Sequence, residues 1–170
     1  MSLLQQGIII VPSEIERRFL VKSGLWRKLP SRCVSIIQGY FSRGADYCVG
    51  IRILDDSQAF LTIKSNRKDT LSRAEFEYEI PLEHAKDMLQ TFCQTRIIHK
   101  NRYFYTASDS HTREIDEFLD RHAGLVIAEI ELDSPEETFT HQDWLGREIT
   151  HEPQYSNESL ANLPTLPAII

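Results

Sequence analysis

A chain of 170 residues, 41% hydrophobic and 26% charged, is long enough for one domain with a buried core and has the balance of a soluble globular protein. A net charge of −6 and a pI near 5.5 argue against general nucleic-acid binding, which needs a basic surface. The longest apolar run, Gly7–Val11, is far too short to span a bilayer and lacks the features of a signal peptide, so the cytoplasm is the expected compartment.

In chain order, residues 1–12 carry little information and end at Pro12. A first strand covers about 13–22, and 23–30 holds a short helical turn stopped by Pro30. Residues 31–41 are rich in β-formers, and 42–46 read as a turn. Strands follow at 47–54 and 58–65, joined by Asp55-Asp56-Ser57. After a polar loop at 66–71, residues 73–80 alternate Ala74, Phe76, Tyr78 and Ile80 against Arg73, Glu75, Glu77 and Glu79. Pro81 opens a helix over 82–94, with Leu82, Ala85, Met88, Leu89 and Phe92 at helical spacing. Further strands are expected at 96–106, 112–118 and 125–132, a short helix from Pro135 to Thr138, and a last helix within 155–163. The apolar faces of the strands are expected to pack against helices, and His122 to lie at the surface. Strands joined by short turns, with one inserted helix, make a single α+β antiparallel domain over 1–170, its core at about 13–163.

Three cysteines, Cys33, Cys48 and Cys93, are far apart and lack paired spacing, so they read as reduced thiols. The six histidines show no ligand-like spacing either, which leaves no zinc motif.

The chemistry lies in the charged faces. Acid pairs at i, i+2 recur as Glu14/Glu16, Glu75/Glu77, Glu114/Asp116 and Glu129/Glu131, and a basic pair as Lys100/Arg102. Side chains at i and i+2 stand roughly 6–7 Å apart on one strand face. Like charges that close need a counterion or a proton. A solvated outer face laced with ion pairs is one reading of any single pair. Closing a wide sheet around its charged face instead gathers the whole set in one lumen. Carboxylate oxygens there suit hard divalent cations, and Lys and Arg suit phosphate.

The chain resembles the CYTH superfamily, the triphosphate tunnel metalloenzymes, over about 13–163. Glu14-Ile15-Glu16-Arg17-Arg18 stands in the place of that family's ExExK hallmark. Gln38–Phe41, Leu61–Lys64, Arg73–Ile80, Lys100–Tyr103, Glu114–Asp116, Ala128–Leu132, Trp144–Gly146 and Tyr155–Asn157 follow in the family's order. The resemblance implies a closed eight-stranded antiparallel barrel with a hydrophilic tunnel and helices outside. It implies hydrolysis of a triphosphate, inorganic triphosphate first, with Mg²⁺ or Mn²⁺. It assigns metal to Glu14, Glu16, Glu75, Glu77, Asp116, Glu129 and Glu131, and triphosphate to Arg52, Lys64, Arg73, Lys100 and Arg102. Glu14, Glu16, Arg18 and Asp116 become the catalytic set. Its partner is a triphosphate-bearing small molecule, with neither nucleic acid nor membrane, and it acts as a monomer or homodimer. Family relatives also include adenylate cyclases and thiamine triphosphatases.

Two positions depart from the family pattern. Arg18 replaces the hallmark Lys and cannot lose its proton at ordinary pH. Gly50 replaces the first of two strand-three arginines, and a lost phosphate grip of that kind costs about 2–4 kcal/mol of transition-state stabilisation. The family also allows a cyclase acting on ATP, and these departures motivate a catalytically weakened polyphosphate or nucleotide binder, in which Gly50→Arg together with Arg18→Lys switches hydrolysis on.

Overall fold

A computed structural model describes residues 13–43, 46–65 and 72–164, with the side chains of residues 13, 14, 42, 43, 72 and 73 outside that description. The strands are β1 (Ser13–Val21), β2 (Arg32–Arg43), β3 (Tyr47–Leu54), β4 (Gln58–Ser65), β5 (Ser72–Glu79), β6 (Ile97–Thr106), β7 (Thr112–Phe118), β8 (Val126–Glu131) and β9 (Leu145–Glu148). They form one antiparallel sheet in the order β5-β4-β3-β2-β6-β7-β8-β1-β9. The β3–β4 hairpin turns on Asp55 and Asp56, both at φ 49°, a left-handed pair whose twist matches the flanking strands.

The expected closed eight-stranded barrel is corrected on two points. The sheet has nine strands, and its seam is only partly paired. One edge of β1 is taken by β8 over Glu16–Leu20. The other edge is shared: β5 pairs with Ser13–Ile15 through three residues, and β9 takes Phe19 and Val21. β9 is too short and glycine-interrupted to announce itself by alternation. It is pinned by Arg17, whose guanidinium forks onto Glu148, with Nε to Oε1 at 2.8 Å.

Helix α1 (Leu82–Met88) continues as a π-helical turn over Leu89–Cys93, closed by the Gln94 N–H on the Leu89 carbonyl at 3.2 Å. It lies outside the sheet on Ile51, Ile53 and Ala59. Gly39 permits the approach, since a Cβ there would sit 2.4 Å from Leu89 Cδ2 and 2.8 Å from Cys93 Sγ. α1 does not reach the outer face of β5, so Phe76 and Tyr78 remain exposed, contrary to the expected helix cover. A second outer cluster joins Trp26, Ile115, Ile130 and Trp144. The expected helix at 135–138 is absent. Glu137 instead accepts from the Asp133 N–H at 2.6 Å and meets His111 Nε2 at 2.9 Å, which uses its side chain to tie a loop.

Inside the sheet, register sorts the inward residues into two levels. Leu20, Tyr40, Cys48, Ile98, Phe118 and Ile127 meet the C-terminal segment, including Tyr155, Leu160 and Ala161 of a turn and helix α2 (Asn157–Asn162). This apolar cluster closes one end of the lumen. His122 belongs to it, not to the surface: it is buried, and its Nε2 lies 2.9 Å from the Leu160 carbonyl. Burial lowers its pKa, so it serves as a neutral donor holding α2 in place. Among the described residues, no helix is long and apolar enough to cross a membrane.

Candidate active site

On β1, β6, β7 and β8 the two inward positions beyond the apolar cluster are charged: Arg18 and Glu16, Lys100 and Arg102, Asp116 and Glu114, Glu129 and Glu131. Register puts Glu16 opposite Glu131, Arg18 opposite Glu129, Glu129 opposite Glu114, and Asp116 opposite Arg102. Lys64 lies opposite Glu75. Like charges directly opposite destabilise a sheet. Acidic pairs in this register therefore need compensating cations.

A cavity of about 490 Å³ opens at this level, lined by Glu16, Arg52, Glu75, Phe76, Glu77, Tyr78, Arg102, Glu114, Glu129 and Glu131. Its wall thus holds six carboxylates and two arginines. Of the residues singled out in the sequence, Glu16, Arg52, Glu75, Glu77, Arg102, Glu129 and Glu131 are brought together here. The side chains of Glu14 and Arg73 lie outside the described set, although their backbones face each other across β1 and β5.

Four expected residues sit behind the wall rather than on it. Lys100 and Asp116 are each 1% exposed. Lys100 Nζ lies 2.5 Å from Asp116 Oδ2 and 3.4 Å from Asn157 Oδ1 of α2. Arg18 sends Nη1 to the Tyr155 carbonyl at 3.3 Å and Nε to within 3.8 Å of Glu16. Lys64 pairs with Glu75 at 2.6 Å.

Arg102 is the hub. Its Nε and Nη2 donate to the two oxygens of Asp116 at 2.6 and 2.7 Å, Nη2 also donates to Glu129 at 2.7 Å, and Nη1 reaches Glu114. The fork geometry of arginine makes a three-carboxylate grip possible. Burial alone would lower the Arg102 pKa, but Asp116 and Glu129 reverse this and raise it well above its ordinary value. Burial would raise the Asp116 pKa, yet Arg102 and Lys100 hold that carboxyl well below the usual carboxylate range. Lys100, stripped of water, has its own pKa drawn down, with Asp116 opposing. Glu114 is pushed up by burial, with Arg102 opposing and its acidic neighbours Glu129 and Asp116 adding to the shift.

Arg52 differs. Its Nη2 meets Glu77 Oε1 at 2.5 Å, and Thr62 Oγ1 shares that oxygen at 2.9 Å. Its buried Nε–H has no partner among the described residues. A buried donor left unsatisfied is costly, and an anion oxygen arriving in the cavity would supply what it lacks.

The donors on the wall are all oxygen, which suits hard divalent cations over soft ones. Among the described residues, no group of three acidic, histidine or cysteine side chains already converges on one metal position, and two of the six wall carboxylates, Glu114 and Glu129, are paired with Arg102. Glu114 was visible in the sequence as half of the Glu114/Asp116 pair, of which the assignment took Asp116. Asp116 is turned to the cations behind, and Glu114 reaches the wall. Asn157, Tyr155 and Thr62 lie in stretches that resemble the family, but the sequence assigned them no role in the site, since each acts through a contact that only the fold creates.

A CYTH domain model matches residues 12–162. The chain is 39% identical over 151 residues to an inorganic triphosphatase of Acetivibrio thermocellus, covering 89% of this chain and 94% of that one. It is 31% identical over 152 residues to an inorganic triphosphatase of Nitrosomonas europaea, covering 88% and 97%. A crystal structure of an inorganic triphosphatase superposes with TM-score 0.68 at 28% identity, covering 89% of this chain and 96% of that one. A more distant structure, an adenylyl-cyclase-like protein from Hippeastrum described as having dominant triphosphatase activity, shares the fold at TM-score 0.56 and 18% identity, over 72% of this chain and 81% of that one.

Proposed function

This chain belongs to the CYTH domain family, and we propose that it is a divalent-metal-dependent triphosphate hydrolase whose substrate is inorganic triphosphate. The observation that carries the reading is the unpartnered, buried Arg52 Nε–H of the acid-lined cavity. It is a cationic donor waiting for an anion in a place where a bare anion is repelled. With carboxylates outnumbering arginines on the wall, a polyanion enters only together with cations.

Mg²⁺ or Mn²⁺ would be held by Glu16, Glu129 and Glu131 with Glu114 beside them. When bound it would offset phosphoryl charge and lower the pKa of an attacking water. The chain's own residues do the positioning. Arg52 donates to a phosphate oxygen, with Glu77 and Thr62 fixing its guanidinium plane. Lys100 and Arg18, behind the wall, favour the end of the anion that points toward α2. Asp116 touches neither substrate nor metal in this reading and is a positioning residue for Lys100 and Arg102. The apolar cluster around Tyr155 closes the lumen behind the reacting groups and keeps bulk water out. Cytoplasmic action as a monomer or homodimer completes the proposal.

The test is phosphate release from inorganic triphosphate, beside ATP and thiamine triphosphate, with and without Mg²⁺ or Mn²⁺. Metal-dependent release, fastest from inorganic triphosphate, is expected. Arg52→Ala should lower kcat/KM by roughly 30- to 1,000-fold, in line with loss of one preorganised donor to the transition state. Folded protein that releases no phosphate from any of the three would overturn the proposal.

A further inference from the structure

Arg102 grips three carboxylates, and those partners give it a second role. Its Nε and one Nη2 proton are spent on Asp116, which is buried behind the wall, and those bonds do not face the cavity. Its remaining engaged donors reach Glu114 and Glu129, which do line the cavity and lie opposite one another in the β7–β8 register. Two carboxylates directly opposed across a sheet need a cation between them. Here that cation is the Arg102 guanidinium.

We propose that Arg102 is the resident counter-cation of the carboxylate wall, which a divalent metal must displace from Glu114 and Glu129 before it can bind. Asp116 keeps its two-point hold on the guanidinium during the exchange, so the Nη protons released by Glu114 and Glu129 become available to the incoming phosphate. Metal loading and anion grip are then linked through one side chain, and metal affinity is set as much by the competitor as by the ligands. The proposal rests on the reading of the cavity as a metal-dependent site.

The linkage can be measured without turnover. Mn²⁺ binding to the metal-free full chain is followed by electron paramagnetic resonance, with no phosphate compound present, for the unaltered protein, Arg102→Lys and Arg102→Met. Lysine keeps the charge, but its single ammonium cannot fork across three carboxylates. Release of Glu114 and Glu129 in Arg102→Lys should therefore tighten Mn²⁺ binding by roughly tenfold or more, charge unchanged, because charge-assisted bonds need no longer be broken. Arg102→Met should tighten it further. A Lys variant that melts cooperatively yet binds Mn²⁺ no better than the unaltered protein overturns the proposal. So does Mn²⁺ binding that weakens in both variants, which would make Arg102 a support of the metal site. Phosphate release by the unaltered protein is scored separately: metal-dependent release with unchanged Mn²⁺ affinity in Arg102→Lys removes this inference and leaves the hydrolase reading standing.

Discussion

Asp116→Asn is the sharpest perturbation of the site, because it changes one atom in a group that is 1% exposed and saturated by cations. The carboxylate takes three charge-assisted bonds, from Lys100 at 2.5 Å and from Arg102 at 2.6 and 2.7 Å. Asparagine can accept through Oδ1 alone and turns an N–H toward a cation, so two buried positive charges lose their shared partner. Removing one partner of a buried ion pair costs about 3–5 kcal/mol, since the cost is the uncompensated charge left behind rather than the strength of the pair. For a domain of this length each kcal/mol lowers Tm by about 2–4 °C, which predicts a fall of roughly 6–20 °C. Urea denaturation and thermal melting both read it. Adding Lys100→Met should recover part of the loss, because it removes one of the orphaned charges, and the double variant should cost less than the sum of its singles. The pH dependence carries the same sign. Asp116 is held well below its unfolded value, so below about pH 4 the unfolded chain binds a proton that the folded one refuses, and stability falls with falling pH. Asp116→Asn should flatten that acid limb. A variant that melts within about 2 °C of the unaltered protein would refute the claim that this carboxylate neutralises the buried cations.

Glu114 should show the opposite sign. Its raised pKa lets the folded state hold a proton that the unfolded state has released, so lowering the pH from neutral stabilises through this group, and Glu114→Gln should make the net acid limb of a urea–pH series steeper. Gly50→Ala should destabilise by about 1–3 kcal/mol in urea titrations, because its Cβ would stand 2.7 Å from the Gly39 carbonyl oxygen and 3.0 Å from the Tyr40 ring. Gly39→Ala should cost a similar amount, about 1–3 kcal/mol, by lifting Leu89 and Cys93 off the sheet.

What the sequence made legible was what strict alternation encodes. Glu75 and Glu77 lie on one face of β5 and Phe76 and Tyr78 on the other, as a period-2 pattern requires, and side chains of both faces border the cavity. The same rule put Glu16, Glu129 and Glu131 in one lumen. Alternation fails where a residue's role is settled by a distant contact. Leu145–Glu148 becomes a strand because Arg17, well over a hundred residues earlier, holds Glu148. Pro135–Thr138 has the composition of a helix start, but Glu137 is worth more to the backbone of Asp133 and to His111. The helix after Pro81 was legible by spacing, while its change to a π turn over Leu89–Cys93, where it packs on Gly39, was not. Within the site, periodicity identified which face each charge occupies but not its depth. Asp116 and Glu114 share a strand face, and only packing turns one toward Lys100 and the other toward the cavity.

Gly50 shows why depth matters for function. Viewed along the strand it is a missing phosphate grip, and replacing it with arginine looks like a repair. In the fold its side-chain space is already taken by the Gly39 carbonyl and the ring of Tyr40, and that ring is part of the apolar cluster closing the lumen. An arginine at 50 would have to displace the seal, so Gly50→Arg is a disruption of the closed end and not a restoration. Loss of that cation leaves the wall with Arg52 and Arg102, both engaged by carboxylates: Glu77 on the first, Glu114 and Glu129 on the second. A triphosphate approaching this cavity meets cations already claimed by acids. Divalent metal on Glu114 and Glu129 would cancel the repulsion there and release Arg102, while Arg52 stays held by Glu77. The charge balance of the cavity itself favours a polyanion that arrives together with divalent cations.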